Sequence, residues 1–247
     1  MGLIRMGVPK DIVLLLHDKY GLKDFIESGT YYGNTAVWAA SHFDSVITIE
    51  YSKALYEQTV SRYGSICNVD FVFGDSRSVL RNIAPKLTKP AMFWLDSHWC
   101  GGQSYGEDDQ CPLIEEIAEI NKSASAHFIF IDDARLFTSP PPLPNRVEHW
   151  PPIDKIIQRL QSRKDKYYIV IVEDVIIAVP EYAKGPVASY CQEINTKAWK
   201  EYGKSLSESA IKRGWRLIGQ GLKLIGLGLY APLKRLASKL VKGAMSK

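Results

Sequence analysis

Seven short apolar runs, separated by segments of helical period, constrain this chain more than any other feature. The runs are Asp24–Glu27, Ser45–Glu50, Val69–Phe73, Ala91–Leu95, Phe128–Ile131, Tyr167–Val172 and Val175–Val179. Ala91–Leu95 and Phe128–Ile131 are continuously apolar, the pattern of strands covered on both faces. Between the first six runs lie segments that read as helices: Asn34 to His42, Lys53 to Tyr63, Val79 to Ile83, Pro112 to Asn121 and Ile153 to Gln161. Strand–helix alternation requires crossover connections, so the strands must lie parallel with helices on both faces. The last two runs are separated only by Glu173-Asp174, which forces a hairpin and an antiparallel final strand. The expectation is an α/β fold: a doubly wound, mostly parallel seven-stranded sheet ending in an antiparallel hairpin.

Charge divides the chain differently. Lys and Arg number 31 against 27 Asp and Glu, a net charge of +4. From Lys204 to Lys247 there are ten basic residues and one acid, so this segment carries +9 and the remainder −5. We therefore expect a catalytic domain over residues 1–186 and a basic helical extension over 187–247. With 46% apolar and 23% charged residues the chain is too apolar for a disordered one. Four cysteines, Cys67, Cys100, Cys111 and Cys191, form no CxxC pair. Neither a disulfide scaffold nor a zinc ribbon fits, and reduced thiols are expected even though Cys100 and Cys111 flank one loop. The N-terminal MGLIRMGVPK shows no signal-peptide pattern, so a cytoplasmic location is expected.

The chemistry gathers where strands end. Glu27-Ser28-Gly29-Thr30-Tyr31-Tyr32-Gly33-Asn34-Thr35 leaves a strand, turns on glycines and enters a helix, as a loop does when backbone must approach a ligand. Glu50 ends the second strand, where nucleotide-binding α/β folds place a ribose-binding acid. Asp75 follows the third strand, Asp96 the fourth, and Asp132-Asp133 the fifth. In open parallel sheets the ligand lies beyond the carboxyl ends of the strands, so every one of these acids is delivered to one edge. Each could instead cap a helix or form a turn. Asp109 is read as the start of the helix at Pro112, and Glu107 and Asp108 as further metal or substrate contacts.

This pattern resembles the class I S-adenosylmethionine-dependent methyltransferases over about residues 20 to 182. The resemblance implies a Rossmann-like fold with a reversed final hairpin and S-adenosylmethionine as cofactor. It places Glu27, Gly29, Thr30, Tyr31, Gly33, Asn34 and Thr35 around the methionine end. Glu50 and Tyr51 fall at the ribose, Asp75 and Ser76 near the adenine, and Asp96 within the same set. The loop departs from the family pattern at Tyr31, where a third glycine is usual. Asp96-Ser97-His98 followed by Asp132-Asp133 further resembles the metal-dependent sugar O-methyltransferases of the macrocin type and their cephalosporin-hydroxylase-like relatives. That implies Mg²⁺ held by Asp96, Asp132 and Asp133, and His98 with Asp96 as catalytic residues acting on a sugar or glycan hydroxyl. Oxygen ligands of this kind suit Mg²⁺, and a histidine suits removal of a hydroxyl proton. The alternative is a non-methylating member of the same fold serving as a membrane-associated binding module. Trp94, Trp99, His17, His42 and His127 are read as packing residues, while His149 stays a candidate for facing the substrate.

In the basic extension Ile211, Trp215, Ile218, Leu222, Ile225, Leu229, Leu233, Leu236 and Leu240 recur at helical spacing, with cations between them. Two readings stay open: peripheral attachment to the anionic inner face of a membrane, and packing on the domain or in a homodimer. Nucleic acid is disfavoured, because phosphate tracking has no use for a leucine-rich stripe.

Overall fold

The computed structural model describes residues 7–99, 101, 104, 106–207 and 212–223. It divides into two units, Met1–Gln192 and Glu193–Lys247. In the first unit seven strands form one sheet: β1 (Asp24–Ser28), β2 (Ser45–Glu50), β3 (Val69–Phe73), β4 (Met92–Leu95), β5 (Phe128–Ile131), β6 (Tyr167–Val172) and β7 (Val175–Pro180). Their order is β3-β2-β1-β4-β5-β7-β6. The first five are parallel, and β7 runs antiparallel to both β5 and β6. The expected architecture is thus observed, with strand limits moved by one residue at most.

The helices follow as α1 (Lys10–Tyr20), α2 (Asn34–Ala40), α3 (Lys53–Tyr63), α4 (Ser76–Ile83), α5 (Leu113–Ile120), α6 (Ala134–Thr138), α7 (Ile153–Leu160) and α8 (Lys184–Ser207). Side chains alternate across the central strands. Ile26, Phe93, Leu95, Ile129 and Ile131 join Leu80, Leu113, Ile117, Ile120, Ile156 and Leu160 in one core cluster. Phe25 meets Phe43 and Trp38 instead, and Phe128 meets Tyr20, so α1 and α2 belong to the opposite face. β4 and β5 are buried at every position, as their unbroken apolar runs require.

Two helices go beyond the sequence expectation. α1 buries Ile12, Val13 and Leu16 and ends on Gly21 in the left-handed conformation. Its apolar residues run consecutively from Ile12 to Leu16, which shows no helical period. α6 is only five residues long and is held by tertiary hydrogen bonds rather than propensity: Ala134 N–H donates to the Asp174 carbonyl at 2.8 Å. The unit boundary falls inside α8, which begins before Pro186 and not after it. Proline is accepted in a first turn because no helical partner is needed there for its missing N–H.

Gly29 joins fold to site. Its φ is +90°, and a Cβ there would stand 2.1 Å from the Asp96 carbonyl oxygen. The turns after β1 and β4 are in backbone contact, so the two halves of the ligand edge meet at this residue. Gly29→Ala is expected to destabilise the chain by more than about 2 kcal/mol, because both backbone conformation and space oppose a methyl group. Gly21→Ala, also at positive φ but with no atom within 4 Å of the added carbon, should cost about 1 kcal/mol. Urea midpoints of the two variants check the difference; equal losses would contradict it.

Candidate active site

A cleft of about 820 Å³ opens at the carboxyl edge of the sheet. Gly29 and Tyr31 after β1, Glu50 and Tyr51 at the end of β2, and Asp75 and Ser76 after β3 line one part of it. Asp96 and His98 after β4, and Asp132 and Asp133 after β5, line the other. The parallel topology alone brings these ten residues together from five separate segments.

The remaining predicted residues support the cleft from behind or lie apart from its wall. Glu27 is buried beneath the β1 turn and accepts a hydrogen bond from the Thr48 hydroxyl at 2.6 Å. Thr48 is in turn 2.6 Å from the Thr30 hydroxyl. Burial pushes the Glu27 carboxyl up to about 8, against the hydrogen bonds of Thr48 and Thr35, with Asp96 and Glu50 adding to the rise. Gly33 is at φ +77° and abuts α3, where a Cβ would come within 2.7 Å of Thr59 Cγ2. Its requirement for glycine therefore comes from packing as well as from the turn. Asn34 opens α2 on the surface.

Tyr31 replaces the glycine that the family pattern leads one to expect, and the structure shows the same backbone solution with a side chain present. Its φ is +48°, in the left-handed region. Its N–H donates to Glu50 Oε2 at 2.9 Å, and Ser52 N–H donates to Oε1 at 2.7 Å. Burial raises the Glu50 carboxyl from its ordinary value, opposed by these amides. Asp75 does cap α4, accepting from Arg77 N–H at 2.9 Å, while the Arg77 guanidinium binds the same carboxylate at 2.6 Å. Arg77 also reaches Asp109 at 2.6 Å. Asp109 is consequently an ion-pair partner across the cleft rim and not the cap of α5, whose first residue is Leu113. Glu107 and Asp108 line the cleft, as does Trp99, while Trp94 is core.

At the far end His98 Nε2 lies 2.7 Å from Asp133 Oδ2, and His98 Nδ1 lies 3.5 Å from Asp96 Oδ1. Asp133 Oδ1 meets Arg135 Nη1 at 2.7 Å, and Arg135 also pairs with Asp174 in the β6–β7 turn. Burial opposes the charged form of His98, but its hydrogen bond to Asp133 and the surrounding carboxylates outweigh this and raise its affinity for a proton. Burial drives Asp96 up to about 7 and Asp132 up to about 6, with neighbouring carboxylates adding to both. Asp133 goes the other way: burial would raise it, and His98 and Arg135 bring it below the ordinary carboxylate range.

The expected Mg²⁺ site takes a different form. Among the described residues no group of three or more His, Cys, Asp or Glu is arranged to hold a metal ion. Both oxygens of Asp133 instead meet His98 and Arg135, and Asp132 Oδ1 accepts the Asp133 N–H at 2.8 Å. His127 is structural, its Nδ1 accepting the Ala91 N–H at 3.1 Å, and His149 lies off the cleft wall. Cys67, Cys111 and Cys191 are free thiols; Cys100 lies outside the described residues.

Three supporting residues were missed in the sequence. Arg77 and Arg135 each stand two positions after an acid they bind. Glu116 falls on the apolar stripe of α5 with Leu113, Ile117 and Ile120, which is the signal of a buried acid with a purpose. It accepts from the Ser97 hydroxyl at 2.8 Å beneath the β4 turn, and burial raises its carboxyl above the ordinary range.

No protein-family model matches the chain, and no curated protein matches its sequence. Solved structures do match. A Staphylococcus aureus protein assigned as a caffeoyl-CoA O-methyltransferase shares 15% identity, over 72% of this chain and 86% of its own, with a TM-score of 0.50. A methyltransferase from Podospora anserina, solved with S-adenosylhomocysteine, shares 17% identity over 71% and 80%, with a TM-score of 0.49. At this identity the likeness is one of fold: the chain has the Rossmann-like fold of the class I methyltransferases.

Glu27 supplies a pH test. Its folded-state pKa is raised, from the ordinary 4.5 to about 8, so the folded state binds a proton that the unfolded chain has released over that interval. Stability should therefore fall as pH rises between these values. Glu27→Gln, which is neutral at every pH, should flatten that fall in urea titrations at pH 5, 6.5 and 8. A slope identical to that of the unaltered chain would show that Glu27 ionises freely.

Proposed function

We propose that the chain is an S-adenosylmethionine-dependent O-methyltransferase acting on a sugar or glycan hydroxyl. One observation carries the proposal: a single cleft holds the Gly29 turn with Glu50 at one end and the Asp133–His98 pair with Asp96 at the other. The cofactor end fits on its own geometry. Gly29 leaves no room for a side chain where the two turns meet, and Glu50 is held by backbone amides with lone pairs remaining for a diol. Bound there, S-adenosylmethionine would supply an electrophilic methyl group on a sulfonium.

At the acceptor end Asp133 fixes His98 in the tautomer that donates from Nε2, which leaves Nδ1 free to accept. A hydroxyl held by Nδ1 and Asp96 would give its proton to His98, leaving its oxygen nucleophilic toward the methyl group that the sulfonium would supply, with a neutral thioether as the leaving group. Arg135 keeps Asp133 ionised, and Asp174 keeps Arg135 in place. Proton removal is assigned to His98, oriented by Asp133, whose two oxygens meet the His98 Nε2 and the Arg135 guanidinium. A neutral, hydroxyl-rich acceptor suits the wall, since Asp96, Asp132, Glu107 and Asp108 offer acceptors and would repel an anionic group.

His98→Ala should lower methyl transfer to a glycan acceptor by about 10²-fold or more, with S-adenosylhomocysteine affinity changed only a few-fold. Asp133→Asn should follow the same pattern. Calorimetry with S-adenosylhomocysteine and single-turnover transfer of a labelled methyl group provide the two readouts. Absence of S-adenosylhomocysteine binding by the unaltered chain would overturn the proposal.

A further inference from the structure

The helix over residues 212–223 belongs to the second unit and sets its charge apart from three of its apolar side chains, with Leu217 lying beside Arg213. At about 100° per residue, Trp215, Ile218 and Leu222 fall within about 60° of one another. Lys212, Arg213, Arg216 and Lys223 span about 100° on the other side. The segment contains no acid. The apolar side is open to water: Trp215 is 70% exposed, Ile218 54% and Leu222 64%. In the same unit Trp199 is 72% exposed and packs edge-on against the half-exposed Tyr202.

We propose that this face docks on an anionic lipid surface. Charge selects that occupant. A second copy docking through the same segment would cover Trp215, Ile218 and Leu222 but bring no acid to the cations beside them, since the segment has none. A nucleic acid would satisfy the cations but leave Trp215, Ile218 and Leu222 in water. A layer of lipid phosphates over acyl chains satisfies both sides of one helix lying in its plane, with the indole at headgroup depth. Crossing is not available to it: among the described residues no helix is long and apolar enough to span a membrane. In the sequence the apolar spacing and the cations continue through residues 224–247, again with no acid, which extends the same chemistry. The inference stands whether or not the cleft transfers methyl groups.

The test is co-sedimentation of the full chain with vesicles of phosphatidylcholine alone, or of equal parts phosphatidylcholine and phosphatidylglycerol. Binding is expected to the anionic vesicles only and to weaken with added salt. Replacing Lys212, Arg213, Arg216 and Lys223 by Gln should weaken it about tenfold or more, and so should Ile218→Asp with Leu222→Asp. Unchanged melting temperatures would show that both variants keep the fold of the first unit. The proposal is overturned by no binding to anionic vesicles, or by binding that the two Asp substitutions leave intact. It is equally overturned by a lipid-free dimer that those substitutions dissociate, or by RNA competing the chain off the vesicles.

Discussion

A parallel sheet sends every strand end to the same side, and here nearly every strand end carries an acid. Glu27, Glu50, Asp75, Asp96, Asp132 and Asp133 are thereby crowded at one edge, much of it out of water. Carboxylates so placed repel one another and lose hydration, so each must be neutralised or satisfied. The structure does this differently at each strand. Glu27 keeps its proton under Thr48, and Glu50 takes two backbone amides. Asp75 takes a helix N-terminus and a guanidinium, and Asp133 takes a histidine and a guanidinium. Asp96 and Asp132 are left with raised proton affinity, facing the cleft. Asp75 and Asp133 are thus paired with cations, while Asp96 and Asp132 lie in the cleft without one so close.

This uneven settlement explains what the sequence could and could not disclose. β4 and β5 were legible because burial on both faces leaves an unbroken apolar run, and the reversed hairpin because only two residues join its strands. The acids were legible as a set because a strand end is a fixed place in a parallel sheet. Their partners were not. Arg77 and Arg135 each join an acid two residues back to one on another segment, and such contacts leave no period in the chain. Glu116 shows only as an acid on the apolar stripe of α5. Asp109 shows the limit most plainly. Its position ahead of Pro112 fits a helix start, yet the cap falls at Pro112 itself and Asp109 pairs with Arg77 at the cleft rim.

The two units answer different physical demands with opposite charge. In the first, negative charge is gathered at one edge and held by specific partners. In the second, positive charge is spread along helical sequence and paired with a stripe of apolar side chains. A net charge of +4 describes neither, since a field acts locally and is screened beyond roughly 10 Å at ordinary salt.

The β6–β7 turn shows how far the site's requirements reach. Glu173 and Asp174 both adopt positive φ, 50° and 71°, in a two-residue turn where Asn and Gly are the favoured residues. Two non-glycine residues in the left-handed region cost about 1 kcal/mol or more each. Glycine at the second position would relieve that strain and close the hairpin equally well. It would also remove the carboxylate that accepts the Arg135 N–H at 2.8 Å and pairs with its guanidinium. Without that anchor Arg135 would be free to leave Asp133, and Asp133 is what orients His98. The strain at the turn is therefore retained for an electrostatic chain that begins in a hairpin loop and ends at a histidine in the cleft.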